Sequence, residues 1–231
     1  MPILLFIGIL LGIGCIRFKE SLPAEKRSKT GVWATFRSFG IIVHNRRYML
    51  YVFQLAFAQG ILFAYIASSP FIIQQHYGFS PFAFSICFAV NAVAIGVAAA
   101  LSVKFRRTEN GTLTGCVGML VFAVLQMAAL YSGCGFWTYE LLMFALLFMM
   151  GLTFTASTTL AMDCERRYAG AASALLGALC FASGGIVSPL VGLGDILIST
   201  GVTFVICAVC SLLCALWAVK RTGPKVALCR I

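Results

Sequence analysis

Gln54, Tyr65, Asn91, Thr155 and Thr158 are the residues of this 231-residue chain best suited to hold a ligand. Each is an uncharged polar side chain inside a long apolar run. Gln54, Ala58, Ile61, Tyr65 and Ser69 follow one another at helical spacing and so share one helical face. Asn91 stands in the middle of the next run. The third run carries Gln126, and the fourth carries Thr155, Ser157, Thr158 and Thr159. An amide in an apolar medium needs a hydrogen-bond partner. It either bridges to a neighbouring helix or lines a wet cavity, and both readings stand here. The amide and aromatic of the Gln54–Tyr65 face suit an amphipathic organic ligand better than a bare ion.

Ionisable chemistry is sparse. No Lys, Arg, Asp or Glu lies in the middle of a long run; Glu140, Asp163 and Asp195 stand at run ends, and His44 and His76 lie in or beside the breaks. Membrane-embedded ionisable groups are the usual mark of proton relays, so none is expected within these runs. An intramembrane hydrolase needs a nucleophile with a base, or a metal cluster, at depth. A retinal protein needs a Lys in a span, and an ATP-driven pump needs a Gly-rich phosphate loop after a strand. None of these patterns occurs, so no catalytic residue and no cofactor is assigned. Cys207, Cys210 and Cys214 share a helical face, but no His or acid lies nearby to complete a soft-metal site. Most of the cysteines lie inside apolar runs, where Cys packs as a small hydrophobe, and no metal site is assigned.

The elements that must position these residues are membrane helices. The chain is 61% hydrophobic and 10% charged, against roughly 45–50% and about 25% for globular domains. A water-soluble fold is excluded. A helix needs about 20 apolar residues to cross roughly 30 Å of hydrocarbon. Six runs qualify: Tyr48 to Ile73, Pro81 to Val103, Gly111 to Ser132, Phe136 to Met162, Ala169 to Leu193, and Ile196 to Val219. A seventh, Met1 to Ile16, is short, begins abruptly and lacks the features of a signal peptide. It is expected to be the end of a helix whose beginning is missing. The expected fold class is therefore an all-α membrane protein, with a partial helix over 1–16, a basic linker over 17–47, six helices over 48–219 and a tail over 220–231.

All seventeen Lys and Arg residues fall in alternate breaks between the runs. Eight lie between Arg17 and Arg47, three are Lys104, Arg106 and Arg107, two are Arg166 and Arg167, and four occupy the tail from Lys220. The breaks near His76, Cys134 and Asp195 hold none. Short cytoplasmic loops collect Lys and Arg. The expected orientation has the N-terminus outside and the C-terminus in the cytoplasm, with Cys134 reachable from outside and Cys229 not. A net charge of +10 can signal nucleic acid. Here the charges flank apolar runs, so topology accounts for them and no nucleic-acid partner is expected.

Two stretches suggest more than spanning. Trp33, Phe36 and Ile41 interleave with Thr35 and Arg37, which suits either a short helix on the inner membrane surface or an ordinary loop with anchoring aromatics. In the fifth full run Gly170, Ala174, Ala178 and Ala182 recur at i+4, and small residues let helix backbones approach closely. Gly185 and Pro189 follow, and Pro removes a backbone hydrogen bond. Tight packing and a flexing helix are both open readings of that stretch.

The stretch Phe63-Ala64-Tyr65-Ile66-Ala67-Ser68-Ser69-Pro70-Phe71-Ile72-Ile73-Gln74, followed by Tyr77-Gly78-Phe79-Ser80-Pro81, resembles the seventh helix and next loop of the Bcr/CflA drug-resistance transporters. These belong to the major facilitator superfamily. Phe88-Ala89-Val90-Asn91 resembles the start of their eighth helix. Ala169 to Gly177 and Gly185 to Gly192 resemble their eleventh. The resemblance runs over nearly the whole chain. It implies the six-helix C-terminal half of a proton-coupled exporter of drug-like small molecules in the bacterial inner membrane, preceded by the end of the sixth helix and a cytoplasmic linker. It also implies that the proton-coupling acids lie in a missing N-terminal half. The alternative, from another class, is a non-transporting truncated membrane protein or an assembly partner of a separate N-terminal half.

Overall fold

Long apolar runs leave the backbone no water to bond with, so each must satisfy its own N–H and C=O groups as a helix. The computed structural model describes residues 2–17, 32–105 and 107–220. Among them there is no strand. The helices are α1 (Pro2–Arg17), α2 (Val32–His44), α3 (Arg46–Pro70), α4 (Pro81–Ser102), α5 (Thr108–Tyr131), α6 (Phe136–Cys164), α7 (Ala169–Val191) and α8 (Ile196–Lys220). The last six are long and apolar enough to cross a membrane. Readings that fall on 18–31, on Arg106 and on 221–231, Cys229 among them, lie outside the described residues, as do the side chains of Trp33, Phe36 and Arg37. α1 belongs to a unit of its own, Met1–Phe36, and the bundle to a second, Arg37–Ile231.

Local chemistry sets the helix ends. Asn45 opens α3 by accepting from the backbone N–H groups of Arg47 and Tyr48 at 3.2 and 3.3 Å. Ser80 does the same for α4 through Ala83, with Pro81 at the first helical position, where its missing N–H costs nothing. Asp195 accepts from Leu197 and Ile198 at the start of α8, which gives this lone acid a capping role. α3 does not stop at Pro70 but continues as a π-helical stretch over Phe71–His76. The ring at Pro70 removes a donor, and a widened turn accommodates the loss.

Two ends of the bundle are distinguished by their ties. At one, Asn45 donates to Glu165 at 2.6 Å and Arg47 pairs with Glu109 at 3.7 Å. At the other, Tyr77 donates to the carbonyl of Cys134 at 2.9 Å, and the rings of Phe79 and Phe136 lie 4.1 Å apart. The first end carries Arg46, Arg47, Arg107, Arg166 and Arg167; the loops of the second carry no Lys or Arg. The loops of this second end also hold the left-handed glycines Gly78, Gly133 and Gly194, a conformation open to Gly at no steric cost.

The bundle repeats its packing after three helices. α3 and α6 are central, with 56% and 50% of their apolar windows buried, α5 and α8 follow at 33% each, and α4 and α7 are peripheral at 17% each. The neighbours obey the same rule: α4 packs on α6 as α7 packs on α3, and α5 packs on α6 as α8 packs on α3. α3 meets α6, and α5 meets α8, across the centre. Triplets α3–α5 and α6–α8 are thus two copies of one arrangement, an internal repeat of the kind found in transporter bundles.

Candidate polar site within the helical bundle

All five residues of the Gln54–Ser69 face are buried, so the face points into the bundle. It does not gather them into one cluster. Gln54 and Tyr65 are eleven residues apart, roughly 16 Å along the axis at 1.5 Å per residue. Gln54 donates to Ser211 of α8 at 3.2 Å and contacts the sulfur of Cys116 of α5 at 3.5 Å. Ser211 returns a bond to the Gln54 carbonyl at 3.2 Å. This amide ties three helices together.

Tyr65 and Asn91 are brought together, and they bring a third residue. Nδ2 of Asn91 donates to the Tyr65 hydroxyl at 3.1 Å and to Oε1 of Glu140 at 2.8 Å. Tyr65 and Asn91 are each 1% exposed. The Tyr65 ring stacks on Phe88 at 5.8 Å with 11° between planes, and the neighbouring Tyr139 is fully buried. Oε2 of Glu140, Oδ1 of Asn91 and the Tyr139 hydroxyl are buried and make no hydrogen bond.

Glu140 is a partner that the sequence reading did not single out. Counted along its own run it stands near the end, the fifth residue of α6 (Phe136–Cys164). Its partner Asn91 is the eleventh of the 22 residues of α4, at that helix's midpoint. Glu140 thus stands near the start of α6, and its side chain reaches across to Asn91.

Thr155 and Thr158 lie elsewhere on α6, at least fifteen residues from Glu140 and so roughly 22 Å along the axis. The Thr155 carbonyl accepts from Thr159 at 2.9 Å, and Oγ1 of Thr158 is buried without a hydrogen bond. Between them Ser157 donates to Thr112 of α5 at 3.1 Å. Gln126 is buried with both amide atoms unbonded. On α7, Gly185 is open to its surroundings, whereas Gly184 lies against the ring of Phe63. Pro189 lies inside the helix near its end.

A groove of about 310 Å³ lies between α4 and α6, lined among others by Val90, Val93, Val97, Phe144 and Phe148. None of the polar residues above lines it, and Val93 is 64% exposed. Such a surface is suited to lipid chains and offers nothing to orient a polar ligand. Among the described residues no group of His, Cys, Asp and Glu is placed to hold a metal.

The family model described as Major Facilitator Superfamily matches residues 1–189. A curated relative, the "Uncharacterized MFS-type transporter YdgK" of Bacillus subtilis (strain 168), is 35% identical over 198 residues. The match takes in 84% of this chain and 49% of the relative. The chain thus spans about half the length of the relative it matches.

Proposed function

The chain belongs to the major facilitator superfamily, and on that premise we propose that it forms the C-terminal half of a proton-coupled exporter of drug-like small molecules. The type is that of the Bcr/CflA transporters, and the setting is a bacterial inner membrane. The observation that carries this reading is the group Tyr65–Asn91–Glu140, whose first two members are buried and whose third is half-buried. Binding sites for small organic molecules are mostly apolar and aromatic with a few placed polar groups, and this group has that composition. Transport sites in such folds lie near the midplane between two repeats or halves. A second six-helix bundle, on the same chain or another, would complete the path. Gln54, Thr155 and Thr158 would extend the polar track away from Tyr65, and α7 would flex between Gly185 and Pro189. The end carrying Arg47, Arg107 and Arg166 would face the cytoplasm, with the N-terminus outside.

Vesicles holding these 231 residues alone, and vesicles holding them with a matching N-terminal bundle, test the reading. Export of a lipophilic drug driven by a pH gradient is expected only from the pair. Efflux from the chain alone would remove the need for a second half. An assembled but inactive pair would favour the non-transporting alternative. For the orientation, a membrane-impermeant thiol reagent applied to intact cells should reach Cys134 and miss Cys229; the opposite pattern inverts it.

A further inference from the structure

Among the described residues the carboxyl of Glu140 is held by one neutral donor. Its Oε1 receives the 2.8 Å bond from Asn91, and its Oε2 is buried without a hydrogen bond. The titratable groups that face it are Tyr65 from α3, Cys87 from α4 and Tyr139 from α6 itself. Beyond these, Tyr77 rests on Tyr139 with ring centres 5.8 Å apart. α5 turns its Glu109 to Arg47 and its Cys116 to Gln54, and α7 turns its Cys180 toward Tyr48. The His76 ring lies 4.8 Å from that of Tyr77, one step further out; among the described residues no Lys, Arg or His faces Glu140 itself.

Glu140 is half-buried, and its Oε2 is withdrawn from water without a cation, which disfavours the charged form. The charge has two remedies, a fixed basic partner or a proton, and among the described residues no basic partner faces it. We propose that Glu140 is a proton-binding site of this bundle, with Oε2 as the atom that takes the proton and Asn91 and Tyr65 as positioning residues. In the binding step a proton from water adds to Oε2, and the carboxyl charge goes from −1 to zero. Oε1 accepts from Asn91 in both states, so the group keeps its place while its charge changes. A lysine in the place of Asn91 would fix the charge and end the exchange. The Tyr65 hydroxyl takes the second hydrogen of Nδ2, which fixes the amide plane and aims its other N–H at Glu140. The purpose of this site rests on the transport reading above, and it places a coupling group within this bundle. Its chemistry stands independently.

The experiment is infrared difference spectroscopy of the purified full chain in bilayers, taken between roughly pH 4 and pH 9, a range that starts near the usual carboxyl values and runs well above them. A carbonyl band of a protonated carboxyl is expected that disappears in Glu140→Gln and persists in Glu109→Gln. Glu140→Gln is close to isosteric and still accepts from Asn91, so the fold is retained. Glu140→Asp should move the band instead of abolishing it. Asn91→Leu should shift it to higher frequency, because the carbonyl at Oε1 loses its hydrogen bond. Identical spectra for Glu140→Gln and the unaltered chain over the whole range would overturn the proposal. Transport by the assembled pair separates the two readings. A titrating band without drug export would end the exporter reading and leave the proton site standing. pH-driven export that survives Glu140→Gln unchanged would end the coupling role of the site.

Discussion

The contacts α4–α6 and α3–α7 are one packing relation used twice, and they are filled with different chemistry. Where α3 meets α7, the polar groups end on backbone carbonyls: Tyr48 on Ala172 at 2.6 Å and Ser183 on Ala56 at 2.7 Å. Close approach there comes from Gly184 against Phe63. Where α4 meets α6, close approach comes from Gly151 against Ile95 and Ala98, but the polar contact ends on the carboxyl of Glu140. A backbone carbonyl can hold a helix and cannot change charge. A carboxyl can do both. Repetition therefore supplies the scaffold, and a single acidic side chain makes the two interfaces unequal.

The largest effect expected tests the scaffold. A Cβ at Gly151 would come within 2.6 Å of the backbone oxygen of Ile95 and 2.9 Å of the Ala98 Cβ, and a helix backbone cannot step aside. Gly151→Ala should cost about 3 kcal/mol, the upper part of the range for overpacking. The atoms nearest a Cβ at Gly184 belong to the Phe63 ring, a half-buried side chain that can give way more easily than a helix backbone. Gly184→Ala should cost about 1 kcal/mol. Unfolding in detergent with increasing SDS reads both, and equal costs would mean the two interfaces yield equally.

The next tests the polar difference. Asn91→Leu strips a donor from Glu140 and Tyr65 at once and leaves buried acceptors unpaired, at about 2 kcal/mol. Paired with Glu140→Leu, it should cost much less than the sum of the two single changes, because each removes the same bond. Additive costs would show that the 2.8 Å contact contributes nothing.

How much of this is legible in the sequence varies with how local the cause is. The helices are, because run length and the absence of charge decide them. Asn91 and the Gln54 face also stand out, since amides in apolar runs demand partners. Their partners do not: Ser211 lies 157 residues from Gln54, and only the packing of α8 on α3 joins them. Glu140 is hidden for a related reason: it stands where its run begins, and only the packing of α4 on α6 brings Asn91 to it. The choice between Gly184 and Gly185 turns on the rotation of α7. Its buried stripe of Cys180, Gly184, Val187 and Val191 follows helical spacing, and such a stripe leaves Gly185 outside the packed face.

The smallest effect should come from the α3–α7 side, from Ser183 and Tyr48. The Ser183 hydroxyl lies 2.7 Å from the Ala56 carbonyl and also 2.7 Å from the Cys180 carbonyl of its own helix. Its one hydrogen serves one of them at a time. When α3 and α7 separate within the membrane the hydroxyl keeps Cys180, so the bond between helices is nearly exchanged rather than lost. Ser183→Ala should then cost no more than about 0.6 kcal/mol, the mean for such bonds in membrane bundles. The Tyr48 hydroxyl bonds across to Ala172, and a tyrosine ring holds its hydroxyl too far from its own backbone to fall back on it. Tyr48→Phe should cost about 1 kcal/mol. If Ser183→Ala proves the costlier of the two, the fallback to Cys180 is not available and the hydroxyl is a true bridge between α3 and α7.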